Sequence, residues 1–485
     1  MTNSPNSPSD STRRVTRRTV VGAGLALATG LSGGGYVARR YLGADGSDNP
    51  RSILDGEQSY PEPEYGNPDR KHHLTVTRGE IEVAPSETIE TWLYDGQYPG
   101  PELRVREGER VRITVHNELS AETTIHWHGM RQFGSNAMDG VPGITQPAIG
   151  PDEEFVYEFD AAPTGTHWYH SHVGFQLERG LLGPLIVEED EPHVEYDRDH
   201  MVILDEYLTS EPAVRSVDRG MMGSFPGSPE YDGTLVNGKL PSDPHVVSVE
   251  AGERIRLRFL NAGSATTYRV SIGGHAMQIT HADGQAVEPV TVDTFDIGMG
   301  ERFDAVIEAN RSGRWEIRAH PLDDRMPAGR AVLRYNGSTA DDPRYESVGM
   351  RQLEYGDLTA VSPLDRIDGT PDRRIDLNLS TGGMMGDSDE WTINGQAYPN
   401  VDPIRIKEGE HVRLHVVNHS PMRHPMHLHG HHFVVDGALQ DTVTVPGHMG
   451  QQTLDFVADN PGDWFFHCHN SYHMETGMIQ LFEYK

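Results

Sequence analysis

At 485 residues the chain is long enough for about three domains, and 52 Gly, 32 Pro and 24% charged residues mark a turn-rich globular protein, not a fibrous or disordered one. Its single cysteine excludes any disulfide framework within the chain, so that thiol is inert, reactive or a metal ligand. A formal charge of −32 repels phosphate backbones and excludes a nucleic-acid partner.

The chain opens on an export pattern over residues 1–45. Arg13-Arg14 and Arg17-Arg18 precede an uncharged, Gly- and Ala-rich stretch from Thr19 to Ala38. This is the form of a twin-arginine signal, which hands a folded protein to the Tat translocation machinery, so an extracellular or cell-surface location is expected. A transmembrane helix fits less well, because Gly and Ser crowd the end of that stretch. Only Lys71, Lys239, Lys407 and Lys485 stand among 41 basic residues. An acidic, lysine-poor chain of this kind is similar to proteins of extreme halophiles.

Next comes the first of three copies of one pattern. VREGERVRITVHN (105–117) has a Gly-centred turn, alternating apolar residues and a closing Asn. Alternation at period two predicts a half-buried strand. TIETWLYDG and EEFVYEFDA read the same way. Behind Asn117 stand His126 and His128 in HWHG, then Asp139 in MDG, then HWYHSH with His170 and His172. Acidic EEDEPHVEYDRDH (188–200) separates this copy from the second.

VEAGERIRLRFLN (249–261) opens the second copy, where ERFDAVIEA and GRWEIRAH read as strands. The offsets that reach His126 and His128 after Asn117 reach Val270 and Ile272 after Asn261, so the middle copy is largely stripped of the histidines, with His320 left at the place of the HCH motif. Residues 338–374 link it to the third copy, IKEGEHVRLHVVN (406–418). Here the same offsets after Asn418 reach His427 and His429 in HPMHLHG. HCHNSYHMETGM (467–478) then aligns with HSHVGFQLERGL (170–181), placing Cys468, His473 and Met478 opposite Ser171, Gln176 and Leu181.

Long helical periodicity is scarce, so the expected fold is all-β, with three consecutive Greek-key sandwiches. The expected boundaries are 1–45 for the signal and N-terminal segment, 46–190 for the first sandwich, 191–350 for the second, and 351–485 for a linker and the third.

Four H-x-H pairs result: 126/128, 170/172, 427/429 and 467/469. On a strand, i and i+2 share a face, so each pair should aim two imidazoles one way. One such pair is commonplace on a surface, whereas four at matching offsets are not. Eight imidazoles divided between copies one and three make sense only if those copies meet, and imidazole suits copper. A thiolate, two imidazoles and a weak axial thioether form a blue-copper ligand set, which Cys468, His473, Met478 and His424 supply. A closed zinc site would favour more cysteines and leave the eight histidines unexplained.

HWHG, HWYHSH, HPMHLHG and HCHxxxHxxxxM resemble the copper motifs of multicopper oxidases, the three-domain cupredoxin enzymes that include laccases. The resemblance runs from about residue 65 to 485. It implies a type 1 copper on His424, Cys468, His473 and Met478, and a type 2 copper on His126 and His427. It also implies a type 3 pair, with His128, His170 and His469 on one ion and His172, His429 and His467 on the other. Substrate electrons would enter at the exposed edge of His473 and leave through Cys468, and dioxygen would be reduced to water. Asp139 resembles the family's acidic residue after HWHG and is the expected proton relay; a turn-capping Asp is the simpler reading. Many bacterial members carry Glu directly after the second type 1 His. Here Met474 stands there and Glu475 follows, so Glu475 is not a like-for-like replacement.

Phenolic or aromatic reductants are the expected substrates. Met221-Met222 and Met384-Met385 in Gly-rich loops keep oxidation of Cu(I) or another metal ion as the alternative. A non-enzymatic blue-copper carrier would not need the eight histidines, and a two-domain copper nitrite reductase would lack the third repeat. Asn310, Asn336, Asn378 and Asn418 head N-x-S/T tripeptides, which permit glycosylation, with Asn418 expected near the site and buried.

Overall fold

The computed structural model describes residues 60–218, 224–323, 326–339, 342–362, 364, 367, 369–382 and 389–485. The export segment and both Met pairs lie outside these residues. Among the described residues, no helix is long and apolar enough to cross a membrane.

After its Gly turn, each of the three repeats forms one strand, Arg110–Asn117, Arg254–Asn261 and His411–Asn418. Each strand lies beside an earlier one in parallel: Arg70–Ala84, Arg198–Tyr207 and Arg373–Thr381 respectively. On its other side, each pairs antiparallel with a later strand, Glu154–Asp160, Arg302–Glu308 or Gly450–Val457. In the first and third copies alternate residues are buried, as a sheet with one face on a core requires. The middle copy departs from this. Arg256 and Arg258 are buried on its outward face, where Asp304, Glu189 and Asp199 neutralise them.

A second sheet covers each core. In the first sandwich it is Leu103–Arg106, Leu182–Glu188, Gly165–His170 and His126–His128. The other two sandwiches pack a six-stranded sheet on a five-stranded one. The Gly-centred turns require the left-handed region, at φ 78°, 88° and 87° for Gly108, Gly252 and Gly409. The closing Asn is a structural device in all three copies. Asn117, Asn261 and Asn418 are fully buried and donate Nδ2–H to the carbonyls of a loop that returns beside them. Asn418 is thereby occupied, whereas Asn310, Asn336 and Asn378 are exposed.

Residues 342–362 are more than a tether. Arg344, Gln352 and Ala360 bridge to the middle sandwich, and Ala360 N–H donates to the Gly437 carbonyl of the third.

The expectation that each H-x-H pair lies on one strand holds only for His126–His128. In the other three pairs the strand ends first, at His170, Leu428 and Cys468, so His172, His429 and His469 stand beyond it. Leaving the strand frees the second imidazole from the pleat, so it can turn toward a different neighbour.

Candidate metal centre

Strand pairing brings the histidines together. His126 sits opposite His170 in the first sandwich, and His427 sits opposite His467 in the third. Across the seam, His126 stacks on His429 with ring centroids 3.9 Å apart, and His128 stacks on His427 at 3.8 Å. Potential ligand atoms of His126, His128 and His427 lie within 4.8 Å of one another, as do those of His128, His170 and His469, and those of His172, His429 and His467.

The outward nitrogens are held by protein acceptors. Nδ1–H of His126 and His427 donate to the Asp139 and Asp441 carbonyls at 2.8 and 2.9 Å. Those of His170 and His467 donate to the Ser171 and Cys468 carbonyls at 2.9 and 3.0 Å. The side chains of the two aspartates cross the seam. Asp139 Oδ2 accepts from His429 Nδ1 at 2.9 Å, and Asp441 Oδ1 accepts from His128 Nε2 at 3.0 Å. Such outer acceptors fix the tautomer of a metal-binding imidazole.

The inward nitrogens have nothing to bond. His126 Nε2, His128 Nδ1, His170 Nε2, His172 Nε2, His427 Nε2 and both nitrogens of His469 are buried without a hydrogen-bond partner among the described residues. His429 Nε2 and His467 Nε2 face each other at 3.0 Å. Burial holds His128, His170, His172, His427, His429, His467 and His469 below the ordinary imidazole value, and neighbouring imidazoles add to this for each of them. Neutral rings with converging unprotonated nitrogens are metal ligands in waiting, since unpaired buried polar atoms are otherwise costly.

The second group belongs to the third sandwich alone. Cys468 Sγ lies 3.5 Å from His424 Nδ1 and 3.5 Å from His473 Nδ1, which are 3.0 Å apart. His424 Nε2–H donates to Ser420 Oγ at 2.7 Å, so its Nδ1 turns a lone pair inward. His473 rides on the short helix Ser471–Glu475, whose N-cap Asn470 accepts from the Tyr472 and His473 amides. Burial pushes the Cys468 thiol up, so a thiolate here needs a cation beside it. Met478 is buried in the same apolar cluster, and its carbonyl accepts from Cys468 N–H at 3.0 Å. The donor set, one sulfur and two imidazoles beside a thioether, fits copper, and the eight inward imidazoles fit it equally.

The structure also places three further residues of the expected site. His473 has no exposed edge: it is 1% exposed and lines a cleft of about 30 Å³, together with Phe225, Tyr231, Met326 and Met422. The fold tucks the helix carrying it under the strand Ser224–Gly227. Asp139 is more than a turn cap: its Oδ1 is buried without a partner, 3.3 Å from His126 Nδ1. Glu475 is buried on the helix but belongs to none of the ligand groups described above.

Sequence reasoning missed Asp441, Arg302 and Thr123. Asp441 follows His427 by fourteen positions much as Asp139 follows His126 by thirteen, a signal that was there to use. Thr123 stands three residues before His126, as His424 stands three before His427.

The profile of the multicopper oxidase family matches residues 75–192, 196–338 and 369–485. A multicopper oxidase of Mycobacterium tuberculosis is 31% identical over 97% of both chains. A copper resistance protein A homologue of Pseudomonas syringae pv. tomato is 27% identical over 88% of this chain and 96% of its own. Among solved structures, a laccase from Botrytis aclada superposes with a TM-score of 0.74 at 27% identity, covering 85% of this chain and 87% of that one.

Proposed function

The chain belongs to the multicopper oxidase family, a copper-dependent oxidoreductase with dioxygen as acceptor, and on that premise we propose that it is laccase-like, oxidising phenolic or other aromatic reductants. His424, Cys468, His473 and Met478 would hold a type 1 copper, and His126 with His427 a type 2 copper. His128, His170 and His469 would hold one type 3 ion, and His172, His429 and His467 the other. When bound, the metals supply one-electron oxidation at the type 1 site and four-electron reduction of dioxygen to water at the cluster.

The protein's own part follows from the geometry. The backbone joins Cys468 directly to His467 and His469, so the thiol of one site is two bonded neighbours from imidazoles of the other. This covalent adjacency of two ligand groups is the observation that carries the reading. Full burial excludes bulk water from the eight imidazoles. Asp139, reaching both His429 and His126, supplies a carboxylate next to the cluster, and its partnerless Oδ1 can carry a proton there.

A second reading has its own support. Met326 and Met422 line the cleft at His473, and soft thioether sulfur suits a cuprous ion. Oxygen uptake by the purified holoenzyme in concentrated salt, with a phenol and with Cu(I) as reductants, separates the two. A higher kcat/KM for the phenol supports the laccase reading; the reverse order replaces it with metal-ion oxidation.

Export by the twin-arginine route, an extracellular or cell-surface location and adaptation to high salt belong to the same reading. They are supported by the paired arginines, the charge of −32 and the scarcity of lysine. Glycosylation would fall on the exposed Asn310, Asn336 and Asn378.

A further inference from the structure

The middle sandwich carries none of the proposed ligands, yet it touches the cluster at two points. Gly300, at φ 85°, packs so closely that a Cβ there would lie 2.9 Å from His469 Cδ2 and 3.0 Å from His128 Cε1. Beside it, Arg302 is fully buried, and every N–H of its guanidinium is used. Nη1 and Nη2 grip Asp441 Oδ1 and Oδ2 at 2.7 and 2.6 Å. The remaining donors go to the carbonyls of Gly300 and Asp283, and Nε–H goes to that of Thr166.

Thr166 lies on the strand Gly165–His170 of the first sandwich, and Asp441 belongs to the third sandwich. One arginine therefore ties all three sandwiches together behind the histidines. Asp283 completes the frame. Its Oδ1 accepts from Arg302 N–H at 2.9 Å, and its Oδ2 accepts from the Asp441 and Thr442 amides at 3.2 and 3.0 Å.

Held this way, Asp441 presents Oδ1 to His128 Nε2 at 3.0 Å and its carbonyl to His427 Nδ1 at 2.9 Å. Those two contacts leave His128 Nδ1 and His427 Nε2 as the inward nitrogens. Asp139 makes the matching contacts to His429 and His126, and among the described residues no arginine or lysine pairs with it.

We propose that Arg302, from the ligand-free middle sandwich, is a positioning residue for the type 2 and neighbouring type 3 ions, fixing Asp441 so that His128 and His427 keep the right nitrogen turned inward. The role rests on the reading that these histidines hold copper. A bidentate guanidinium defines the plane of a carboxylate, whereas an ammonium acts as a point charge. Disturbing an outer partner of a ligand weakens metal binding by roughly 10- to 100-fold.

The test uses holoenzyme with Arg302→Met and Arg302→Lys, each dialysed against a graded chelator series. The blue absorption reports the type 1 ion, and electron paramagnetic resonance reports the type 2 ion. Arg302→Met is expected to release the type 2 ion at roughly 10- to 100-fold lower chelator concentration than the unmodified enzyme, with the blue band intact. Arg302→Lys should fall between the two. Release at the unmodified midpoint overturns the proposal. Parallel loss of both signals in both variants also overturns it, because Arg302 would then be a general staple of the fold. An unmodified enzyme lacking a type 2 signal removes the copper reading itself, a distinct outcome.

Discussion

The first and third sandwiches build the same backbone frame twice and fill it differently. Cys468 N–H donates to the Met478 carbonyl at 3.0 Å, and Ser171 N–H donates to the Leu181 carbonyl at 3.0 Å. Met478 N–H returns to His473 and Leu181 N–H to Gln176, at 3.0 and 3.1 Å. In the third sandwich the frame holds His424, Cys468 and His473, whose potential ligand atoms crowd within 3.0 to 3.5 Å of one another. In the first it holds Thr123, Ser171 and Gln176, which satisfy one another. Both hydroxyls donate to Gln176 Oε1 at 2.7 Å, and Gln176 Nε2 donates to the Glu122 carbonyl at 2.7 Å. The fold thus supplies a three-residue cage, and side-chain chemistry alone decides whether it closes on itself or waits for a metal.

The most drastic way to erase that difference is Cys468→Ser, which copies Ser171. The blue absorption and the oxidase activity should vanish together, because no oxygen ligand replaces a thiolate in that site. Absorption spectra and oxygen uptake check this, and a variant that stays blue would refute the type 1 assignment. Asp139→Asn tests the other inequality, between the two aspartates. Asp139 has a partnerless Oδ1, whereas Asp441 is gripped by Arg302. If Asp139 moves protons, oxygen reduction should slow about 100-fold. Anaerobic bleaching of the blue band by a reductant should keep its rate. Slowing of both steps would assign Asp139 to holding the site together.

Much of this was legible in the sequence because the repeats carry their own ruler. The turn Gly and closing Asn mark a strand end, and the histidines follow at fixed offsets. What stayed hidden has physical reasons. Parallel pairing of the repeat strands with Arg70–Ala84 and its counterparts leaves no local signature, since partners are distant in sequence. Burial of His473 is set by the strand Ser224–Gly227, remote from the motif. Arg302 reads as an ordinary surface arginine in a strand, and only the meeting of three sandwiches buries it. Thr123 carries no signal of its own; it becomes visible once the copies are aligned on their histidines.

The ligand-free middle sandwich sharpens the contrast through stability instead of rate. Its seam with the first is a charged network in which His281 Nε2–H donates to Glu189 Oε1 at 2.8 Å and Arg256 grips Asp304. Burial, then the Arg256 charge, lowers His281 to about 4. Glu189 is lowered to about 2, because the bonds and charges of His281 and Arg256 outweigh its burial. Both groups bind protons more readily unfolded than folded. Acidification should therefore remove stability between about pH 6.5 and 4 through His281, and from about 4.5 down to 2 through Glu189. For His281 the loss amounts to a few kcal/mol at most, on the order of the shift at 1.4 kcal/mol per unit. The Tm of apoprotein, followed downward from about pH 7, should fall more gently for His281→Gln over the upper window. Equal slopes would place the acid sensitivity elsewhere.

The mildest substitution, Met478→Leu, again copies the first sandwich, where Leu181 holds the corresponding place. Both side chains are fully buried. Leu and Met occupy similar volumes, so the packing cost should stay below about 1.5 kcal/mol, and the blue colour should survive on His424, Cys468 and His473. What changes is the axial position. A thioether donates weakly to copper and favours the oxidised ion, whereas a leucine methyl donates nothing. The type 1 potential should therefore rise. Oxidation of a poor reductant should quicken while transfer onward to the cluster loses driving force. Redox titration of the blue band measures the first effect directly. An unchanged potential would mean that Met478, for all its burial beside Cys468, packs against the site without ligating it. The third sandwich would then differ from the first by three residues instead of four.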